Sequence, residues 1–247
     1  MEKEKFKLRG YFTKGELALW CGSAALITVA FFAFGGEGVP SLIASLLGVT
    51  ALIFCAKGNP AGQVMMLVFC VFYGAVSFTF AYYGEMITYL CMAAPMAAVS
   101  LVSWLRNPFK GAVAQVRVNR ITLRETALML LATAAVTWGF FFLLRALGTA
   151  NLLPSTISVS TSFAAAYLMF RRSEYFALAY ALNDIVLVAL WVLACVEDSA
   201  YISMVICFAV FFVNDIYGYI NWRRMRIQQE RADNGGTIPT EEKQTPP

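Results

Sequence analysis

The chain has 247 residues, of which 60% are hydrophobic and only 14% are charged, and its formal net charge is +4. Soluble domains carry roughly 45–50% apolar and about 25% charged residues, so the composition excludes an ordinary soluble enzyme domain. The sequence contains no histidine, which excludes histidine-ligated metals and histidine general bases. The composition is typical of a membrane protein with short connections between its spans.

Eight apolar runs, bounded by charged residues, glycine or proline, predict eight transmembrane helices in an all-α membrane protein. The runs cover residues 16–35, 40–57, 63–83, 85–104, 123–146, 154–170, 175–195 and 200–221. The first run is longer than a signal-peptide core and follows a charged segment, which predicts an uncleaved anchor. Thr122 and Glu125 match a capping box and predict the start of the fifth helix.

The basic residues indicate the orientation. If the N-terminus is cytoplasmic, alternating crossings place 18 of the 19 Lys and Arg residues inside, and only Arg145 falls outside. This asymmetry predicts an integral membrane protein with both termini in the cytoplasm. Residues 1–15, the loop 105–122 and a disordered tail 222–247 are then cytoplasmic. The loop mixes Val and Arg, which fits a segment lying on the membrane surface as well as a solvated connector.

Residues 40–104 and 154–221 follow the same order of landmarks. Each segment begins with Pro-Ser, reaches a basic residue 17 positions later, and ends its third span near a Trp. The landmarks are Pro40, Lys57 and Trp104 in the first segment, and Pro154, Arg171 and Trp222 in the second. With the helix 123–146 as linker, both segments cross the membrane in the same direction. The sequence therefore predicts two parallel three-helix repeats, as in SWEET-type transporters, with the helix 16–35 as an addition. The two Trp are predicted to be aromatics of the membrane interface.

Only two carboxylic acids lie well inside predicted spans, and each follows an asparagine. A charge inside a membrane costs at least roughly 2.5 kcal/mol on insertion scales, so such residues usually face a cavity. Helical spacing groups them with aromatic residues, and this combination favours a flat, polar, cationic ligand. The candidate substrate-binding residues are Asn183, Asp184, Asn214, Asp215, Tyr180, Tyr217, Trp191, Tyr73, Trp138 and Gln63. Hydrogen bonding between helices, or packing in the core, is the competing interpretation for these side chains.

The sequence predicts no metal, no cofactor, no nucleic-acid partner and no enzymatic activity. The six cysteines form no C-x-x-C pair, and no phosphate-binding loop motif occurs. A retinal photoreceptor needs a lysine at mid-depth in its last helices, and no predicted span has one. A membrane-embedded transferase or hydrolase that uses Asp184 and Asp215 is a distant alternative, because phosphate chemistry normally needs Lys or Arg beside the acids.

The second repeat resembles a known family. The strings SFAAAYLMFRRSEYF, YALNDIVLVALW and FFVNDIYGYINWRR resemble the PnuC family of nicotinamide riboside transporters, and the resemblance extends over residues 36–226. It implies a SWEET-like core, a homotrimer, and uptake of this vitamin B3 and NAD precursor by facilitated diffusion, with trapping by phosphorylation in the cytoplasm. We expect alternating access by rocking of the two repeats.

The sequence departs from the family at the start of the seventh span. Relatives often carry a pair of Trp there, whereas this chain has Phe176 and Tyr180, with Trp191 further along. Any of these three aromatics is a candidate to replace the pair. A carrier of the same fold for thiamine, another nucleoside or a sugar is therefore the alternative function.

Overall fold

The computed structural model describes residues 11–35, 38–79, 86–111, 114–149, 151–196 and 199–234, and this part of the chain forms eight helices. They are α1 (Lys14–Phe34), α2 (Val39–Ala56), α3 (Pro60–Thr79), α4 (Thr88–Arg106), α5 (Leu123–Ala146), α6 (Leu152–Phe170), α7 (Tyr175–Ala194) and α8 (Ile202–Asp233). Seven of them are long and apolar enough to cross a membrane, and α3 has a shorter apolar stretch, Pro60–Ala75. The predicted all-helical membrane architecture is confirmed.

Capping boxes begin α1 and α5. Thr13 accepts a hydrogen bond from the backbone N–H of Glu16, whose carboxylate accepts one from the N–H of Thr13. Thr122 and Glu125 repeat this arrangement. Each box satisfies N–H groups that a helix start leaves unpaired, and the predicted start of the fifth helix is confirmed.

The helices pack in two triplets. Within each triplet, α2 contacts α3 and α3 contacts α4, as α6 contacts α7 and α7 contacts α8. The triplets meet where α2 packs on α8 and α4 packs on α6. Helix α1 lies against α2 and α8, and α5 lies against α6.

The ends of α2 and α6 share one turn geometry, 114 residues apart. Gly58 and Arg172 both adopt left-handed backbone, with φ of 66° and 57°. Each donates its N–H to the carbonyl three residues back, at 2.9 and 3.0 Å. The side chains of Asn59 and Ser173 then accept the backbone N–H two residues further on, at 2.9 and 3.4 Å. The two turns therefore have equivalent backbones although their residues differ.

Trp104 and Trp222 connect the triplets reciprocally. The indole N–H of Trp104 on α4 donates to the carbonyl of Met169 on α6 at 3.0 Å, and that of Trp222 on α8 donates to the carbonyl of Cys55 on α2 at 2.8 Å. The two rings contact each other, with centroids 5.3 Å apart. Both side chains are 0% exposed, so the prediction that they are interfacial aromatics is wrong. Each indole is buried because its N–H finds a carbonyl inside the protein.

The connection between α4 and α5 packs on the helices. Val116 is fully buried in the cluster around Trp222, and its N–H donates to the carbonyl of Gly58 at 2.9 Å. Gln229 of α8 accepts the N–H of Val118 and donates to the carbonyl of Val116, at 2.9 and 3.0 Å. These contacts hold the segment against α8 and the turn after α2, while the side chains of Arg117 and Arg120 are exposed. Its surroundings, the membrane surface or solvent, stay a prediction.

Helix α8 continues to Asp233, so the predicted disorder of the tail is wrong for residues 222–233. Buried Met225 and Gln229 hold this extension on the α4–α5 connection. Exposed ion pairs add to the contact, from Arg117 to Asp233 at 2.7 Å and from Arg120 to Glu230 at 2.6 Å. Residues 235–247 and residues 1–10 lie outside the described part of the chain.

Candidate substrate site

A cavity of about 130 Å³ lies between the two triplets. A water molecule needs only about 10–15 Å³, so the cavity has room for several waters or for the ring of a small ligand. Its walls come from α2, α3 and α4 of the first triplet and from α6, α7 and α8 of the second.

Aromatic rings line the cavity from both triplets, with Tyr180, Phe208 and Phe211 in the second and three rings in the first. Phe69 and Tyr73 of α3 contact each other with centroids 5.7 Å apart, and Tyr89 of α4 lies 4.6 Å from Tyr73. Tyr89 sits in a π-helical segment, Thr88–Ala93, that begins α4. Methionine side chains, Met66 and Met96, line the cavity beside these rings. Aromatic and thioether groups of this kind suit a flat ring.

The second triplet supplies both carboxyl groups and the amide of Asn183. Tyr180, Asn183 and Asp184 line the cavity from α7, and Asp215 lines it from α8. The two Asp side chains are buried, at 4% and 5% exposed. The amide oxygen of Asn183 accepts the hydroxyl of Thr161 on α6 at 2.7 Å. This contact fixes the amide so that its NH₂ group is the donor left for a ligand.

Three buried polar atoms in the cavity wall lack a hydrogen-bond partner among the described residues. They are Oε1 of Gln63, Oγ of Ser100 and Oδ2 of Asp184. The Gln63 amide nitrogen contacts sulfur atoms instead, Sδ of Met169 at 2.9 Å and Sγ of Cys55 at 3.4 Å. Because buried polar atoms are normally hydrogen-bonded, these three atoms indicate where a polar ligand or water binds.

Six of the ten predicted site residues line this cavity: Asn183, Asp184, Asp215, Tyr180, Tyr73 and Gln63. The structure thus brings together both acids and one of the two asparagines. The remaining four lie elsewhere, so their assignment to this cavity is corrected.

Asn214 and Tyr217 face α1 instead of the cavity. Asn214 donates to Oγ of Ser23 at 2.9 Å, and the hydroxyl of Tyr217 donates to Glu16 at 2.8 Å. Successive positions on a helix point about 100° apart, so Asp215 and its neighbour Asn214 reach different partners. The sequence does not show that α1 covers this face of α8.

The two remaining Trp also lie outside the cavity wall. Trp191 is buried against Met204 and Phe208, and it contacts Tyr201 at a centroid distance of 5.3 Å. Trp138 on α5 is 69% exposed and packs on Phe142 of the same helix. Neither residue lines the cavity. The sequence could not predict this, because helical spacing alone does not show which helices surround a face.

Of the three aromatics considered as replacements for the Trp pair, Tyr180 lines the cavity. Phe176 is 1% exposed and packs against Trp104 and Trp222 in the core. The lining residues that sequence reasoning missed include Phe69, Met66, Met96, Phe211 and Ser100. Phe69 had a signal in the sequence, because it lies four residues before Tyr73 and shares its face of α3.

A polar network holds α1 at the end of the molecule where α2 ends. The carboxylate of Glu16 accepts the Lys57 ammonium at 2.8 Å and the hydroxyl of Tyr217. The ammonium of Lys57 also lies 4.8 Å from the ring centroid of Tyr11, whose hydroxyl accepts a hydrogen bond from Asn59 at 3.0 Å. Burial raises the pKa of the Tyr11 phenol. These contacts tie α1 to both triplets, at α2 and α8.

The fold and the cavity define an integral membrane protein with a small-molecule site between two groups of helices. Residues 39–224 match the model of the nicotinamide mononucleotide transporter family, and the chain belongs to that family. The predicted resemblance is thereby confirmed.

Two curated relatives are both named as nicotinamide riboside transporters. The chain is 27% identical to the nicotinamide riboside transporter PnuC of Neisseria mucosa over 226 residues, which are 90% of this chain and 85% of the relative. It is 24% identical to the nicotinamide riboside transporter PnuC of Haemophilus influenzae over 187 residues, which are 75% of this chain and 79% of that one. A crystal structure of the vitamin B3 transporter PnuC shares the fold, with a TM-score of 0.75 at 24% identity over 89% of this chain and 95% of the other.

Proposed function

We propose that the protein carries nicotinamide riboside across the membrane and binds it in the cavity between the triplets. The observation that carries this proposal is the chemistry of the cavity wall. Aromatic rings and amide groups line it from both triplets, both carboxyl groups come from the second triplet, and the described lining residues include no Lys or Arg. Nicotinamide riboside matches this wall because it combines a flat cationic pyridinium, a carboxamide and ribose hydroxyls. The names of the two curated relatives support the same substrate.

The charge of the cavity favours the riboside over the mononucleotide named in the family description. The mononucleotide adds a phosphate, which proteins bind with Arg, Lys or helix N-termini. None of the described lining residues is basic, and Asp184 and Asp215 would repel a phosphate. The riboside is therefore the better match to this wall.

The two triplets act as parallel repeats, α2–α4 and α6–α8, with α5 as the linker and α1 as an addition. Two observations support this arrangement: the equivalent turns after α2 and α6, and the reciprocal Trp bonds between the triplets. Rocking of one triplet against the other exposes the cavity alternately to each side. The positive-inside asymmetry places the buried Trp pair at the cytoplasmic end.

Transport is facilitated diffusion into the cytoplasm of a bacterial cell, where phosphorylation of the riboside traps it. The protein works as a homotrimer in the inner membrane with both termini in the cytoplasm. These statements rest on the family resemblance and on the distribution of Lys and Arg in the sequence.

Calorimetry on the purified protein tests the substrate. We expect binding of nicotinamide riboside in the micromolar range or tighter, and no measurable binding of the mononucleotide. A variant with Trp138→Ala, which changes an exposed residue outside the cavity, serves as the control and should bind like the wild type. Binding of only thiamine, of only a sugar, or of only the mononucleotide would overturn the substrate assignment. Uptake of labelled riboside into proteoliposomes then separates a carrier, which releases its ligand unchanged, from an enzyme.

A further inference from the structure

We propose that Asp184 and Asp215 act together as one shared negative charge that selects ligands with a single positive charge. The identity of the ligand rests on the function proposed above, whereas the charge rule follows from the geometry of the pair. Under this rule the pair, and not the aromatic wall, distinguishes a cationic ligand from a neutral one of the same shape.

The first step is the burial of the two acids in one cavity. The side chains come from neighbouring helices, α7 and α8, are 4% and 5% exposed, and line the same cavity. Two carboxylates buried in one site disfavour each other's ionisation, because like charges repel and burial penalises each charge. The pair therefore offers at most one negative charge to a ligand.

The second step is that the described residues around the pair supply no compensating cation. The cavity wall includes no Lys or Arg, and the ion pairs of the described residues leave both acids out. A buried charge is costly unless an opposite charge accompanies it. The compensating positive charge must therefore come from the ligand.

The third step concerns buried polar atoms in the same cavity that lack a hydrogen-bond partner among the described residues. Oδ2 of Asp184 faces no hydrogen-bond donor among the described residues. Two further orphan atoms, on Gln63 and Ser100, line the same wall and belong to side chains that are 0% and 1% exposed. These uncharged groups suit the polar substituents of a ligand, and they leave the acid pair as the part of the wall that recognises charge.

A matched pair of ligands isolates the charge. Nicotinamide riboside is a cation, and its reduced form, dihydronicotinamide riboside, is neutral but keeps the carboxamide and the ribose. We expect the wild type to bind the cation roughly 10- to 100-fold more tightly, because the pyridinium charge attracts the buried carboxylate and the neutral ring does not. Thiamine, a second cation, and a neutral sugar complete the panel.

The variants separate one shared charge from two independent charges. Asp184→Asn and Asp215→Asn each leave one carboxylate and replace the other with a neutral amide of the same shape. We expect each single variant to lose affinity for both ribosides but to keep the preference for the cation. The double variant carries no charge and should lose the preference. Asp233→Asn, the same substitution in an exposed ion pair of α8, is the control, and elution volume and thermal unfolding report whether each variant is folded.

Each result decides the proposal. Preference for the cation in the wild type and in both single variants, lost in the double variant, supports it. Equal binding of both ribosides by the wild type overturns the charge rule while the proposed function stands. Binding of thiamine but of neither riboside, lost in the double variant, overturns the substrate but keeps the charge rule. Binding of the sugar alone overturns both. A preference lost fully in one single variant overturns the shared charge, because that acid alone then carries it.

Discussion

The two triplets share their backbone contacts but differ in what they contribute to the cavity. The turns after α2 and α6 have equivalent hydrogen bonds, and Trp104 and Trp222 make equivalent bonds to the opposite triplet. In the cavity, both triplets supply aromatic rings and methionines, but among the described lining residues only α7 and α8 supply carboxyl groups, Asp184 and Asp215. The part of the molecule that the two triplets have in common is therefore the framework that holds them together.

This difference has a physical reason. Turns and indole-to-carbonyl bonds depend on backbone positions, which the two triplets place equivalently. A ligand such as a nucleoside has no internal symmetry, so its parts require different side chains. Aromatic rings from both triplets, with acids from only one of them, suit a molecule with a flat ring and one charge. The predictions below test the framework and then the division of the cavity wall.

The largest effect is expected when the triplets are locked together. Ser103 of α4 donates to the carbonyl of Phe170 on α6 at 2.9 Å, across the boundary between triplets. In a background without the six native cysteines, Ser103→Cys and Phe170→Cys joined by a short thiol cross-linker should abolish exchange of riboside in proteoliposomes but preserve binding. The control pair, Ala177→Cys with Gly218→Cys, lies within the second triplet, where a Cβ on Gly218 would be 3.4 Å from that of Ala177. Undiminished exchange in the cross-linked Ser103 and Phe170 variant would contradict rocking.

The next effect concerns the reciprocal bonds. Trp104→Ala and Trp222→Ala each remove a fully buried indole and leave a carbonyl without its donor. We expect each to lower the free energy of unfolding by about 3–5 kcal/mol, and by similar amounts because their contacts are equivalent. Thermal and denaturant unfolding in detergent measures the loss. Trp138→Ala, on an exposed side chain, is the matched control, and a large difference between the two buried sites would break the equivalence of the triplets.

The smallest effect separates the two asparagines that precede the acids. Asn183→Ala removes a cavity donor and should weaken riboside binding by roughly 3- to 10-fold, as expected for one hydrogen bond. Asn214→Ala removes the bond to Ser23 of α1 and should lower stability by about 1 kcal/mol with little change in binding. Calorimetry and thermal unfolding of both variants provide the comparison. The reverse result, with binding lost in Asn214→Ala and kept in Asn183→Ala, would place the site on the α1 side of α8.

Much of the fold could be predicted from the sequence because membranes restrict it. Long apolar runs must form helices, since unpaired backbone groups are costly in lipid, and the capping box at Thr122 was visible in the sequence. The order of landmarks around Pro40 and Pro154 predicted the repeat that the equivalent turns now support. The site was predicted less completely. Asp184, Asp215 and Tyr180 reach the cavity as expected, but Asn214 and Tyr217 turn to α1.

The sequence by itself determined the helices, the family and the chemical types present at mid-depth, because composition and local spacing depend only on neighbours along the chain. The tertiary structure alone decided which face of each helix meets the cavity, because that depends on which helices pack around it. Helix α1 covers Asn214, the α4–α5 connection covers the end of α8, and the two Trp become core residues. These choices arise from contacts between residues more than 100 positions apart, which no local pattern records.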